Sequence, residues 1–279
     1  MGVYVNSNIK ICTQWKKDLN LHEEDVFRTQ KFDMDLSVFA IIGLPVVVSL
    51  LAVRWVYFKI LKIAKEKNLV DNPDARKLQK VPVPVVGGLA VFFGLLFGLL
   101  CGITMMNIFA GDIGMFSGIV SVNRLLPIVL GMSIMLYVGC MDDIMGLSPK
   151  ARFLIEILVI LGLIYSSGIS VDSLHGLWGI DDIPSVVAVP LTIFAGVGII
   201  NAINMVDGVN GLSSGLCITC SMLFGLQFFC IGDYVNAVLA FSIASSLFLF
   251  FIHNVFGNQS RMFIGDAGTM VMGVLMTWF

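Results

Sequence analysis

Apolar residues fill most of the chain in blocks of roughly twenty, separated by short polar stretches. A helix needs about 20 residues to cross a hydrocarbon core about 30 Å thick. The blocks therefore predict spans near 36–58, 84–106, 124–141, 153–167, 184–203, 211–231 and 234–252. An eighth block opens near 267 and reaches Phe279 short of a full crossing, which makes the chain look cut off. Residues 1–33 break the pattern. They are polar, hold five of the seventeen Lys and Arg, and contain no apolar run long enough for a signal peptide. Met34 stands directly before the first block, so 1–33 read as an extension outside the fold and 34–279 as one membrane domain. The expected architecture is all-α: a polytopic transmembrane bundle of about eight helices, the last truncated.

Composition agrees with the pattern. The chain is 57% hydrophobic and 13% charged, with mean hydropathy +0.93, whereas soluble domains are about 45–50% apolar and about 25% charged. A net charge of −2 with dispersed basic residues gives no stripe for tracking nucleic acid. Of six cysteines, five lie in or beside apolar blocks, where the thiol behaves as a small hydrophobe. Cys217-x-x-Cys220 falls inside a predicted span and reads as packing, not as a redox pair.

Charge then orients the bundle. The loop 59–82 carries Lys59, Lys62, Lys65, Lys67, Arg76, Lys77 and Lys80, and later loops on the same side carry Lys150, Arg152 and Arg261. Loops on the other side hold Asp112, Asp172, Asp181, Asp182 and Asp233, with Arg124 their only basic residue. Positive charge stays inside, so 59–82, 142–152, 204–210 and 253–266 are expected in the cytoplasm. Gly94-x-x-x-Gly98 in the second span is a candidate homodimer seam, though packing within the chain explains it better.

Reactive-looking groups gather on that same side. They are Asp71…Arg76-Lys77…Pro84-Val85-Val86-Gly87-Gly88, Asp142-Asp143-x-x-Gly146-Leu147, Asn201-x-x-Asn204-x-x-Asp207-Gly208, and Phe263-x-Gly265-Asp266-Ala267-Gly268-Thr269. Singly, each has a plain structural reading: a helix end, a turn, an interhelical hydrogen bond, or attraction of lysines to anionic lipid. Glu156, just inside the fourth span, reads as a partner for Lys150 or Arg152, and His253 as an interfacial residue. Together they match what metal-assisted phosphoryl chemistry needs. Hard divalent cations take carboxylate and phosphate oxygens, cations neutralise phosphate, and glycine lets backbone approach an anion.

In these four ordered motifs the chain resembles the polyprenyl-phosphate N-acetylhexosamine-1-phosphate transferases, glycosyltransferase family 4. Among them it is most similar to the bacterial undecaprenyl-phosphate N-acetylglucosamine-1-phosphate transferases. The resemblance implies that Asp142, Asp143 and Asp207 are catalytic and that Asp266, with Asp207, holds Mg²⁺ (or Mn²⁺). It implies that Phe263 stacks on uracil, that Asn201 and Asn204 help hold the nucleotide, and that Lys77, Lys80 and Arg261 contact phosphate. The implied reaction moves a HexNAc-1-phosphate from a UDP-HexNAc to undecaprenyl phosphate and releases UMP. That would be the first membrane step of cell-surface glycan assembly, at the cytoplasmic face of the bacterial inner membrane. Two departures stand out: Asn210 replaces a second aspartate common in the third motif, and a later His- or Arg-bearing loop is missing. The alternatives are an ion-coupled secondary transporter, against which the acids' place at one interface argues, and a non-catalytic truncated remnant of the transferase.

Overall fold

The computed structural model describes residues 23–71, 82–109, 118–179, 181–257 and 260–279. The chain divides into two compact units, Met1–Ala40 and Ile41–Phe279, and the candidate site lies wholly in the second. Eight α-helices occupy the described residues. They are α1 (Glu23–Glu66), α2 (Gly87–Phe109), α3 (Gly118–Met145), α4 (Pro149–Ser167), α5 (Ser185–Val206), α6 (Leu212–Cys230), α7 (Tyr234–Phe256) and α8 (Gly265–Trp278). The helical, membrane-spanning class expected from the sequence is what is found. Among the described residues the only strands are two-residue pieces, β1 (Val70–Asp71) and β2 (Val83–Pro84), paired antiparallel.

Among the described residues six helices are long and apolar enough to cross a membrane: Ser37–Glu66 within α1, α2, Leu125–Met145 within α3, α5, α6 and α7. This is a multi-pass membrane protein. α4 is 19 residues long but carries Lys150, Arg152 and Glu156 near its start, and α8 has 14 residues.

Several helices outrun the apolar blocks that announce them. α1 continues through Lys59, Lys62 and Lys65, where Lys59 lies 3.8 Å over the Trp55 ring and Lys62 pairs with Glu66 one turn on at 3.9 Å. α3 runs to Met145, so Asp142 and Asp143 sit on its last turn and not in a loop. α4 starts abruptly at Pro149, whose missing N–H costs nothing at the first helical position. Ser148 caps it by accepting a hydrogen bond from the Ala151 amide at 3.3 Å.

α8 is the axis of the bundle's site end. It packs against α3, α5 and α2, and its side chains are buried without a break from Ala267 to Leu275. A helix apolar all round belongs inside a protein. Gly94 and Gly98 of α2 face Val53, Ser246 and Ser242, so this small-residue seam is used within the chain. There Ser49 donates to the Ser242 carbonyl at 3.0 Å and shares a 2.6 Å hydrogen bond with Ser246.

Candidate active site

The site is assembled where α8 begins. The segment before it, Met262–Ile264, lies alongside the Pro84–Gly88 segment in a short backbone zipper. Phe263 N–H donates to the Pro84 carbonyl (2.7 Å), Gly87 N–H to the Phe263 carbonyl (2.9 Å) and Gly88 N–H to the Ile264 carbonyl (2.7 Å). The glycines of both motifs are what allow this approach. A Cβ on Gly88 would overlap the Gly268 backbone, and a Cβ on Gly139 of α3 would overlap Ala267. Gly265 adopts φ +75°, where other residues are strained, and any side chain there would strike the Val85 carbonyl and the Asp143 carboxylate. The motifs Pro84–Gly88 and Phe263–Thr269 are thus two halves of one structure.

A second anchor fixes the same segment from the other side. Tyr57 donates to the Ser260 carbonyl at 2.6 Å, and Asn254 donates to the Met262 carbonyl at 2.9 Å. His253 stacks on Tyr57 at 4.9 Å and bonds Ser260 Oγ through Nδ1 at 3.2 Å. It serves the scaffold here.

The carboxylates divide by how their oxygens are used. Asp143 accepts from the Asp266 amide at 2.9 Å and the Ala267 amide at 3.2 Å, one oxygen each. These are orphan N–H groups of the first turn of α8, where helix polarity favours negative charge. Asp142 accepts from the Leu147 amide at 2.7 Å and from Arg152 Nη1 at 3.2 Å. Both members of the aspartate pair are therefore tied into the frame.

Asp207 and Asp266 differ. Asp207, just past α5, accepts a hydrogen bond from Ser213 on Oδ1, and Asp266 Oδ1 takes the Asn204 amide and lies 3.7 Å from Arg152. Among the described residues the Oδ2 atom of each accepts no hydrogen bond. Burial pushes the Asp207 carboxyl up to about 7, with nearby Asp266 and Asp143 adding to the rise and the Ser213 hydroxyl opposing it. Among the described residues no three His, Cys, Asp or Glu side chains gather closely enough to ligate a metal by themselves. Two carboxylates with an oxygen to spare still suit Mg²⁺, which typically takes one or two carboxylates and completes its shell with water and substrate phosphate.

The remaining sequence candidates fall as follows. Asn204 is in the cluster, donating also to Thr269 Oγ1 at 2.8 Å. Asn201, one turn earlier on the same face, donates instead to Glu156 and to the Val197 carbonyl (2.9 Å). Arg261 lies on the segment before α8, where its Nη2 reaches the Val255 carbonyl at 3.4 Å and its buried Nε finds no partner among the described residues. Phe263 is half-buried, held by its backbone as above. Lys77 and Lys80 lie outside the described residues.

Two residues that the motifs passed over are central. Arg152 binds Asp142, Glu156 (Nε to Oε1, 3.1 Å) and approaches Asp266, so one guanidinium joins α3, α4 and α8. Glu156 is fully buried and links Arg152 to Asn201 on α5. A charged pair at i, i+4 just inside a membrane helix was the available signal, because a carboxylate there needs a partner.

The family model for glycosyl transferase family 4 matches residues 125–279, which contain three of the four motifs. A probable undecaprenyl-phosphate N-acetylglucosaminyl 1-phosphate transferase of Bacillus subtilis is 30% identical over 235 residues, covering 81% of this chain and 59% of that protein. The undecaprenyl-phosphate alpha-N-acetylglucosaminyl 1-phosphate transferases of Yersinia pestis and Escherichia coli K12 are 28% and 27% identical. Each covers 78% of this chain and 56% of the relative. The chain thus spans a little over half the length of these curated relatives.

Proposed function

Because this chain belongs to glycosyl transferase family 4, we propose that it transfers GlcNAc-1-phosphate, or another HexNAc-1-phosphate, from a UDP-sugar to undecaprenyl phosphate. The names of its relatives support the acceptor and the sugar. The observation that carries the reading is the junction at α8, where Arg152 and Asn204 tie the second, third and fourth motifs to Asp266 and the backbone zipper adds the first.

An oxygen of the lipid phosphate attacks the β-phosphorus of the UDP-sugar. The new P–O bond forms as the bond from that phosphorus to the bridging oxygen breaks, and UMP leaves with the electron pair. A phosphate monoester is largely ionised at neutral pH, so the attacking oxygen needs no strong base. Asp207 and Asp266 would hold Mg²⁺ (or Mn²⁺), which when bound neutralises charge on the diphosphate oxygens. Asp143 fixes the first turn of α8 and so the place of Asp266. Asp142 and Arg152 brace α3 against α4, and Arg152 adds positive charge where phosphate charge builds. Lys77, Lys80 and Arg261 are the further cations assigned to phosphate, and Phe263 is the ring assigned to the base. The concentration of Lys at this end supports a cytoplasmic-facing site in the inner membrane of a bacterium.

The test is transfer of label from β-³²P-UDP-GlcNAc into an organic-extractable, acid-labile lipid diphosphate by the chain in detergent with undecaprenyl phosphate. Labelled lipid supports the reading; label that stays in water-soluble nucleotide sugar rejects it.

A further inference from the structure

Glu156 has no part in the chemistry above, yet it is the most deeply buried carboxylate near the site, with its side chain 0% exposed. A buried charge persists only where partners hold it, and both of its partners are polar groups of the site. Oε1 takes Arg152 Nε at 3.1 Å, one turn back on α4. Oε2 takes the amide of Asn201, across on α5.

The consequence lies in what each partner has left. Arg152 is planar, and with Nε on Glu156 and Nη1 on Asp142 the plane is fixed. Its Nη2 donors bond no described residue, and the side chain keeps 15% of its surface exposed. The Asn201 amide nitrogen is consumed by Glu156 and the Val197 carbonyl, which leaves Oδ1 as an acceptor bonded to no described residue. One carboxylate therefore sets out a two-pronged donor for an anionic oxygen and a neutral acceptor for an N–H or O–H. A nucleotide sugar carries both: phosphate oxygens, and base N–H or sugar hydroxyls.

We propose that Glu156 is a positioning residue that presents Arg152 to a substrate phosphate and Asn201 Oδ1 to a donor group on the nucleotide sugar. This rests on the transferase reading. Its chemistry predicts a particular failure in Glu156→Gln. The new side chain has one acceptor and one NH₂ group. If the oxygen keeps Arg152, the NH₂ faces Asn201, whose amide must turn over and spend its free acceptor. Adding Asn201→Asp reverses this, since a carboxylate at 201 accepts from Gln and still has a second oxygen to offer.

The experiment measures kcat and KM for UDP-GlcNAc, per mole of folded full chain in detergent, for wild type, E156Q, N201D and E156Q/N201D, with thermal melting alongside. Glu156→Gln should raise KM by about tenfold or more, the loss expected for one substrate hydrogen bond. The double variant should recover most of that loss, although Asn201→Asp alone, which sets two carboxylates face to face, does not improve KM. A purely structural Glu156 would lower the melting temperature of E156Q and leave KM and kcat of the folded enzyme unchanged. That result, or a double variant with KM losses that simply add, overturns the proposal while leaving the transferase reading intact. A wild-type chain that turns over no UDP-GlcNAc overturns both.

Discussion

Among the described residues, two clusters of polar groups in the interior are built in opposite ways. In the seam between α1, α2 and α7, the Ser49 and Ser246 hydroxyls bond each other and the Ser242 carbonyl, all neutral, and the buried Ser242 hydroxyl bonds no described residue. At the start of α8 five carboxylates gather: Asp142, Glu156 and Asp266 share a single described guanidinium, Arg152, while Asp143 sits on the α8 amides and Asp207 on Ser213. The serine seam is a solution to helix packing, in which small residues let backbones close up and hydroxyls tidy the remainder. The acid end is not a solution to packing. It holds more carboxylates than its one described guanidinium pairs, and two of them keep an oxygen that accepts no hydrogen bond from a described residue, an arrangement that suits a cation.

Substitutions that treat the two regions as equals should expose the difference. The largest effect is expected from Asp266→Asn, which keeps the hydrogen-bonding shape and removes the charge. UMP formation should fall by about 10²–10³-fold or more, with the protein still recovered from membranes; retained turnover would remove Asp266 from the site. Next comes Gly88→Ala, which forces backbone apart where α2 meets α8. It should cost about 2–3 kcal/mol in detergent unfolding and lower activity with it, because the zipper beside Phe263 opens. A melting curve equal to wild type would show that the close approach is not needed.

Asp207→Asn sharpens the contrast through pH. The folded-state value near 7 lies above that of an unfolded aspartate, so the folded protein retains a proton that the unfolded chain has released. Stability from this group is therefore lost as pH rises from about 4 toward 7. Without divalent cation, D207N should melt higher than wild type at pH 8 and alike at pH 4, and a constant difference across that range would contradict the burial argument. Smallest is Ser49→Ala in the neutral seam. Ser246 keeps its bond to the Ser242 carbonyl at 2.8 Å, so the cost should be about 1 kcal/mol or less with turnover unchanged.

The same contrast explains what the sequence revealed. Spanning helices are announced by long apolar blocks, and those blocks located every helix of the bundle to within a few residues at most ends. The errors fell where charge overlies helix. α1 runs on to Glu66 because Tyr57, Leu61 and Ala64 continue the buried apolar spacing beneath the lysines. α3 keeps Asp142 and Asp143 on its last turn because helix α8 supplies backbone N–H groups for Asp143, a partner no local pattern shows. The four motifs were visible as motifs; that Pro84–Gly88 and Phe263–Thr269 are one zipper was not, because the pairing depends on residues some 180 positions apart. Arg152 and Glu156 were legible as a pair, but their reach to Asp142, Asp266 and Asn201 is a fact of three-dimensional packing.

The most direct measurement is UMP released by the purified chain from UDP-GlcNAc in the presence of undecaprenyl phosphate and Mg²⁺. The account predicts release that requires the lipid phosphate, stops on addition of EDTA and returns with excess Mg²⁺. No release, or release indifferent to the lipid or to the chelator, would contradict it.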